Sequence, residues 1–176
     1  PTEFMAGVYD EICAAGDTLG MVHAGYHALN SLRMEKGYRH WGHDITDEDT
    51  PLEAGLGFAV KMDKPGGFIG REALQQQKEQ GVKRRLVQFQ LDDPEPLLYH
   101  NEPIWRDGEI AGYVSSGAYG HTLGACIGLG YIERSNKKYN NEWLDGEFAI
   151  EVAGEKFSAS ASLAPLYDPG NEKIRC

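Results

Sequence analysis

Cysteine is scarce in this chain. Cys13, Cys126 and Cys176 lie far apart, form no CxxC pair and leave an odd thiol, so the expected setting is reducing and disulfides are not expected. No stretch approaches the roughly 20 apolar residues of a membrane-spanning helix, and the N-terminus lacks the basic-then-apolar plan of a signal peptide. Positive charge is also short: 17 Lys and Arg stand against 27 Asp and Glu, a formal net charge of -10. That balance repels a phosphate backbone, and the basic run Lys83-Arg84-Arg85 sits at the start of a predicted strand. Nucleic acid and membrane are therefore not expected as partners, and the expected location is cytoplasmic, or the mitochondrial matrix in a eukaryote. A Walker loop and a G-x-G-x-x-G after a strand are both missing, which excludes those phosphate cradles. Ser115-Ser116-Gly117 is not a G-x-S-x-G elbow. His23 and His27 are four apart and His40, His43 and Asp44 cluster, but no third ligand has a defining spacing, so no metal is expected.

What is abundant is glycine, with 22 residues in 176, which points to many tight turns. Hydrophobic content of 41% and charged content of 25% belong to an ordinary globular chain. Thr2 can cap a helix over about 3–15, whose apolar Phe4, Met5, Val8, Ile12 and Ala15 follow helical spacing, with Gly16 as a left-handed stop. A second helix is expected from His23 to about Glu35, with Ala24, Ala28, Leu29 and Leu32 inward and Gly37 ending it. Thr50-Pro51-Leu52-Glu53 is a capping box that opens only a short turn, because Gly55 and Gly57 follow. Phe58 to Met62 reads as extended, and 70–80 as a third helix closed by Gly81.

From Val82 the apolar period changes from 3.6 to 2. Val87, Phe89 and Leu91 alternate on one face of a strand, Asp107-Gly108 is a strong hairpin turn, and further strands fall near 125–132, 147–153 and 156–163. About six short strands with glycine turns predict a small closed antiparallel barrel. The expected class is α+β: a partial α/β lobe over 1–82, then a six-stranded barrel domain over 83–176. Eighty-two residues of helix with little strand would leave an apolar face uncovered. The chain also opens on Pro1 without an initiator methionine, so the first lobe is expected to lack its N-terminal remainder.

The densest chemistry is SLRMEKGYRHWGHD at 31–44. Arg33, Glu35, Tyr38, Arg39, His40, Trp41, His43 and Asp44 could wall a pocket in which aromatics stack on a heterocycle and cations meet carboxylates. The bland alternative is an Arg33–Glu35 ion pair with Tyr38 and Trp41 as core filler.

Taken in order, SLRMEKGYRHWGHD, TPLEAGL (50–56), GFIGREAL (67–74), KRRLV (83–87) and GYVSSGAYGHTLGACIGLGYI (112–132) resemble the C-terminal half of the folate-dependent aminomethyltransferase family, which includes the glycine-cleavage T-protein. The GYRHW wording is most similar to the C-terminal folate region of sarcosine and dimethylglycine dehydrogenases. The resemblance implies lobes around a channel that holds tetrahydrofolate, the last lobe a six-stranded barrel. It also implies an FAD domain elsewhere in the parent polypeptide that oxidises an N-methyl amine. Residue by residue it implies folate contacts at Arg33, Glu35, Tyr38, Arg39, His40 and Trp41, and it matches Thr50, Pro51 and Glu53 to the family's turn. Phe68, Gly70, Ser116 and Gly117 match structural signatures. The T-protein arginine that meets folate aligns with Leu29, so that contact is lost, and no catalytic residue can be assigned. The expected function is the tetrahydrofolate-binding portion of a flavin-dependent sarcosine or dimethylglycine dehydrogenase. The alternatives are a non-enzymatic regulatory subunit of the pyruvate dehydrogenase phosphatase type and a stand-alone aminomethyltransferase.

Overall fold

The computed structural model describes residues 1–137 and 141–175, with the side chains of 134–137 and 141 left out; Cys176 lies outside the described residues. Six antiparallel strands close a barrel: β1 (Val82–Leu91), β2 (Pro103–Arg106), β3 (Glu109–Gly120), β4 (Ala125–Lys137), β5 (Phe148–Val152) and β6 (Glu155–Ser162), in the order β1-β4-β3-β2-β5-β6. Closure comes from β1 pairing β4 on one side and β6 on the other, with Phe89 opposite Gly128 and Ala161. A closed sheet leaves no open edge for misassembly.

Turn chemistry sets the register. Asp107 and Gly108 have φ of 51° and 85°, and Ala153 and Gly154 have 52° and 88°, so both hairpins use two consecutive left-handed residues, as a type I′ turn requires. Inside, Val87, Phe89 and Leu91 from β1 meet Ile104, Val114, Trp143, Phe148 and Ile150 in one buried cluster. Glycine admits this packing at Gly117, where an added Cβ would lie 2.3 Å from the Leu98 carbonyl carbon. Burial pushes the Cys126 thiol up, so it behaves as an inert apolar filler among these residues.

Strand β1 is buried on both faces because a helix covers its outside. Three α-helices precede the barrel: α1 (Met5–Asp17), α2 (Tyr26–Glu35) and α3 (Arg71–Gln80). Met34 of α2 packs on Leu86, Ile127 and Leu129 in a second cluster outside the barrel. Polar groups lock the same joint. Ser31 donates to the Tyr119 carbonyl at 2.7 Å, and Gln88 Nε2 donates to the Met34 carbonyl at 2.6 Å. A C-terminal strap then returns over α2: Leu166 N–H donates to Gln88 Oε1 at 3.1 Å, Tyr167 N–H to the Glu35 carbonyl at 3.1 Å, and Lys36 pairs with Asp168 Oδ2 at 3.3 Å.

The segment between α2 and α3 is fastened to β1. Its capping box forms as the sequence predicts: Thr50 N–H donates to Glu53 Oε2 at 3.1 Å and Glu53 N–H to Thr50 Oγ1 at 3.3 Å. Arg84 reaches Asp49 at 2.7 Å, Arg85 donates to the Leu52 carbonyl, and Leu86 N–H donates to the Glu53 carbonyl at 2.9 Å. The basic run therefore serves this joint. Burial, and then the Asp49 carboxylate, push the neighbouring Tyr131 phenol above its ordinary range.

Several local expectations need correction. Thr2 begins a 3-10 turn over Thr2–Phe4 and supplies no side-chain cap, because α1 starts at Met5 behind Phe4. Gly16 lies inside α1 with Met21 folded against it, and the left-handed residue is Gly20. Helix α2 starts at Tyr26, and its inward residues are Ser31, Met34 and Glu35, whereas Leu29 and Leu32 are exposed. Phe58 to Met62 is not a strand; Gly57–Ala59 is a 3-10 turn. The i, i+3, i+4, i+7 face of α1, Met5, Val8, Tyr9 and Ile12, is also exposed.

Candidate functional site

The chain reverses sharply after α2. Gly37 takes a φ of 65°, Tyr38 N–H donates back to the Arg33 carbonyl at 2.8 Å, and a second turn closes when Asp44 N–H donates to the His40 carbonyl at 2.9 Å. Gly42, at φ 89°, makes that second turn possible. The result is a compact loop over 38–45 lying beside the last turn of α2.

Asp44 organises this loop. Its carboxylate is buried and accepts three hydrogen bonds: from Arg33 Nη1 at 2.6 Å, from the His40 backbone N–H at 2.8 Å and from Ser115 Oγ at 2.6 Å. Three different elements, α2, the loop and β3, therefore converge on one carboxylate. The Arg33–Glu35 ion pair considered from sequence does not form. Arg33 instead fixes its guanidinium through Asp44 and through Asn30 Oδ1, which accepts from Nε at 2.8 Å.

Beside this hub is a pocket of about 260 Å³, at the joint between helices and barrel, lined by Tyr26, Asn30, Arg33, His40, His43, Tyr99, His100, Ser115, Ser116 and Gly117. The His40 and His43 rings are tilted by 36° with centroids 4.7 Å apart. Two tyrosines, three histidines and an arginine line one cavity, a set of residue types that can meet a flat, anionic group.

Of the six residues expected at the ligand, Arg33 and His40 line this pocket. Tyr38 and Trp41 are not in its wall but lie on the surface nearby, 52% and 66% exposed. Both are amphipathic rings left without cover, and so they are not the core filler of the bland reading. Glu35 and Arg39 turn to the frame. Glu35 is 1% exposed and its Oε1 accepts from the Thr122 N–H at 2.6 Å in the β3–β4 turn. Arg39 donates to the Gly37 carbonyl at 2.6 Å and the Ala54 carbonyl at 3.1 Å.

Tyr26, Tyr99, His100 and Ser115 were missed by sequence reasoning. Tyr99-His100 sits in the connection between β1 and β2, with no motif around it to mark it as anything but loop. Ser115 carries a signal only in retrospect, since β3 changes register between Val114 and Ser116 and so turns its hydroxyl outward to Asp44. An apolar cleft of about 420 Å³ lies elsewhere, between Leu52, Phe58, Val60, Leu74 and Val82, and holds none of the expected residues. Among the described residues no group of three His, Cys, Asp or Glu side chains is gathered to hold a metal ion. No helix among them is long and apolar enough to cross a membrane.

Comparison with known proteins adds lineage to this geometry. The family described as "Glycine cleavage T-protein C-terminal barrel domain" matches residues 84–168, and "GCVT N-terminal domain" matches residues 1–64. The chain is 43% identical, over 99% of its length, to 4-methylaminobutanoate oxidase (formaldehyde-forming) of Paenarthrobacter nicotinovorans, of which it covers 21%. It is 41% identical over 96% of its length to mitochondrial sarcosine dehydrogenase of Homo sapiens, covering 18% of that protein. The crystal structure of aminomethyltransferase T of the glycine cleavage system from Bartonella henselae superposes with a TM-score of 0.68 at 25% identity, over 81% of this chain and 38% of that one. The chain thus spans about a fifth of the length of the first curated relatives it matches.

Proposed function

Because the chain belongs to the glycine cleavage T-protein family, we propose that it is the tetrahydrofolate-binding portion of a flavin-dependent N-methyl amine dehydrogenase that passes a one-carbon unit to folate. The two relatives named above, by their printed names, act on N-methylated amino acids, sarcosine and 4-methylaminobutanoate, which supports that substrate class. On this reading residues 1–82 are part of a folate-binding lobe and 83–176 its barrel, and FAD is held by other parts of a longer polypeptide. The setting is the cytoplasm or the mitochondrial matrix.

One observation carries the reading. Leu29 and Leu32 of α2 and Tyr38 and Trp41 of the loop after it are exposed, while the polar Ser31 and Glu35 are buried against the barrel. A helix that buries Ser31 and Glu35 beside Met34 while showing Leu29 and Leu32 is shaped to meet something else. The exposed rings supply stacking for a heterocycle, and Arg33 and His40 supply donors for an anion. Glu35 and Arg39 hold the loop and the hairpin in place behind them. The iminium formed on oxidising an N-methyl amine hydrolyses readily in water, so enclosing it next to the acceptor nitrogen would serve the reaction.

Calorimetric titration of tetrahydrofolate tests this. Binding is expected to a polypeptide carrying the additional length of the relatives, and to weaken on replacing Trp41 by Ala. Absence of binding to both that longer polypeptide and the 176-residue chain overturns it.

A further inference from the structure

Phe58, Val60 and Met62 alternate in the sequence, and all three line the apolar cleft of about 420 Å³ whose wall Leu52, Leu74 and Val82 complete. Apolar residues spaced by two and sharing one side are the pattern of a strand. The segment is nonetheless not a strand. Gly57–Ala59 coils into a 3-10 turn, in which Ala59 N–H donates to the Leu56 carbonyl at 2.9 Å and Val60 N–H to the Gly57 carbonyl at 3.1 Å. Beyond it Val60 is already extended, at φ -95° and ψ 109°, and the N–H groups of Lys61 and Met62 make no backbone hydrogen bond among the described residues.

A strand needs a neighbour to pair with, and this chain has none to give: its six strands close on one another, so the barrel presents no free edge. The cleft is left incomplete in two further respects. Phe58 stands 85% exposed at its wall. Gln77 also lines it, and the Gln77 Oε1 is buried with no hydrogen-bond partner among the described residues. A second copy of the chain is a poor occupant. Its barrel is equally closed, and laying its own 58–62 segment here would bring Lys61 against Lys61 beside Lys78. The relatives do carry more chain, since this one covers 21% and 18% of the two dehydrogenase-like relatives and 38% of the aminomethyltransferase. The first family match ends at residue 64 and the barrel match starts at 84, so the cleft is walled by residues on both sides of that junction.

We propose that an extended segment from elsewhere in a longer polypeptide pairs along Phe58–Met62, converts it to a strand, and fills the cleft with its own alternate apolar side chains. Backbone pairing supplies the missing partners of the Lys61 and Met62 amides, and an acidic side chain on the incoming segment meets Lys78, the one charged residue of the wall. The inference rests on reading the chain as part of a longer polypeptide, and it requires nothing of folate. The strand pattern in the sequence and the 3-10 turn in the structure are then the paired and unpaired states of one segment.

Hydrogen exchange of the 58–62 amides, in the 176-residue chain and in a polypeptide carrying the additional length of the relatives, tests this. Exchange is expected to be fast in the shorter chain and about a hundredfold slower in the longer one. Val60→Asp in the longer polypeptide should abolish that protection while the barrel amides of Val87 and Phe89 stay protected, which separates lost pairing from lost folding. The fluorescent probe 1-anilinonaphthalene-8-sulfonate should bind the shorter chain, bind it more weakly after Leu74→Arg, and not bind the cleft of the longer polypeptide. Loss of probe binding there with fast exchange at 58–62 would mean that the cleft is covered without a strand, and would overturn the proposal. So would protection in the 176-residue chain that rises with concentration alongside a dimer mass. Tetrahydrofolate binding to a longer polypeptide whose 58–62 amides exchange fast would overturn the strand and leave the folate reading standing; slow exchange without folate binding would do the reverse.

Discussion

Asp44 and Ser115 are 71 residues apart in the chain and joined by a 2.6 Å hydrogen bond. One comes from a loop after α2 and the other from β3, so this contact welds the helical part to the barrel where the donor-rich pocket opens. Because the same carboxylate also holds Arg33, a change at Asp44 is felt on both sides of the joint.

Removing Asp44 strands a largely buried guanidinium. Losing one partner of a buried pair typically costs about 3–5 kcal/mol, so Asp44→Ala is expected to lower stability by about 3 kcal/mol, while Ser115→Ala costs about 1 kcal/mol. Urea denaturation of both single variants and the double variant measures the coupling. Strictly additive effects would show that the weld is not energetically real.

The β5–β6 turn offers the opposite sign. Ala153 sits at a φ of 52°, a conformation that costs an alanine roughly 1 kcal/mol and that asparagine tolerates, ahead of Gly154 at 88°. Ala153→Asn should therefore raise stability by about 0.5–1 kcal/mol, visible as an upward shift in the thermal midpoint. A downward shift would mean that the turn is not of the I′ kind.

Acid should open the strap. Burial opposes ionisation of Asp168, but the amides of Lys173 and Glu172 and the Lys36 ammonium outweigh it and hold the carboxyl below its ordinary value of 3.8. A carboxyl with a depressed folded-state pKa stabilises fully above its unfolded value and loses that contribution as pH falls through the folded one. The melting temperature of Asp168→Asn should lie below that of the parent at pH 7, with the gap closing below about pH 4. Melts from pH 7 to pH 3 check this, and a gap independent of pH would refute the ion-pair account.

The barrel was legible because its signals are local. Alternation at Val87, Phe89 and Leu91, the Asp107-Gly108 dipeptide and the Thr50–Glu53 box each specify their own geometry within a few residues. The orientation of α2 was not legible, for a physical reason. Amphipathicity assumes that apolar residues face the nearest core, yet Ser31 and Glu35 go inward because the Tyr119 carbonyl and the β3–β4 turn amides satisfy them, freeing Leu29 and Leu32 to face outward. The pocket was half legible. Arg33, His40 and His43 stood out by clustering, but Tyr99 and His100 reach it only through barrel closure, which no sequence spacing encodes. Asp44 belongs to the same sequence cluster as a pocket-wall candidate, but its part as a hub depends on Ser115, 71 residues away.

Glu35 separates frame from ligand contact most sharply. Its Oε1 accepts from Thr122 N–H at 2.6 Å and Leu123 N–H at 3.4 Å, and Gly120 is close enough that an added Cβ would lie 3.3 Å from that oxygen. The carboxylate thus braces the β3–β4 turn from α2 and lies outside the wall of the donor-rich pocket. Glu35→Gln keeps a carbonyl oxygen for the same amides but gives up the charge-assisted part, so a loss of about 1–2 kcal/mol is expected. Binding of tetrahydrofolate to the longer polypeptide carrying this folded variant should stay within a factor of two of the parent. A tenfold loss of that binding at unchanged stability would put Glu35 in direct contact with the ligand.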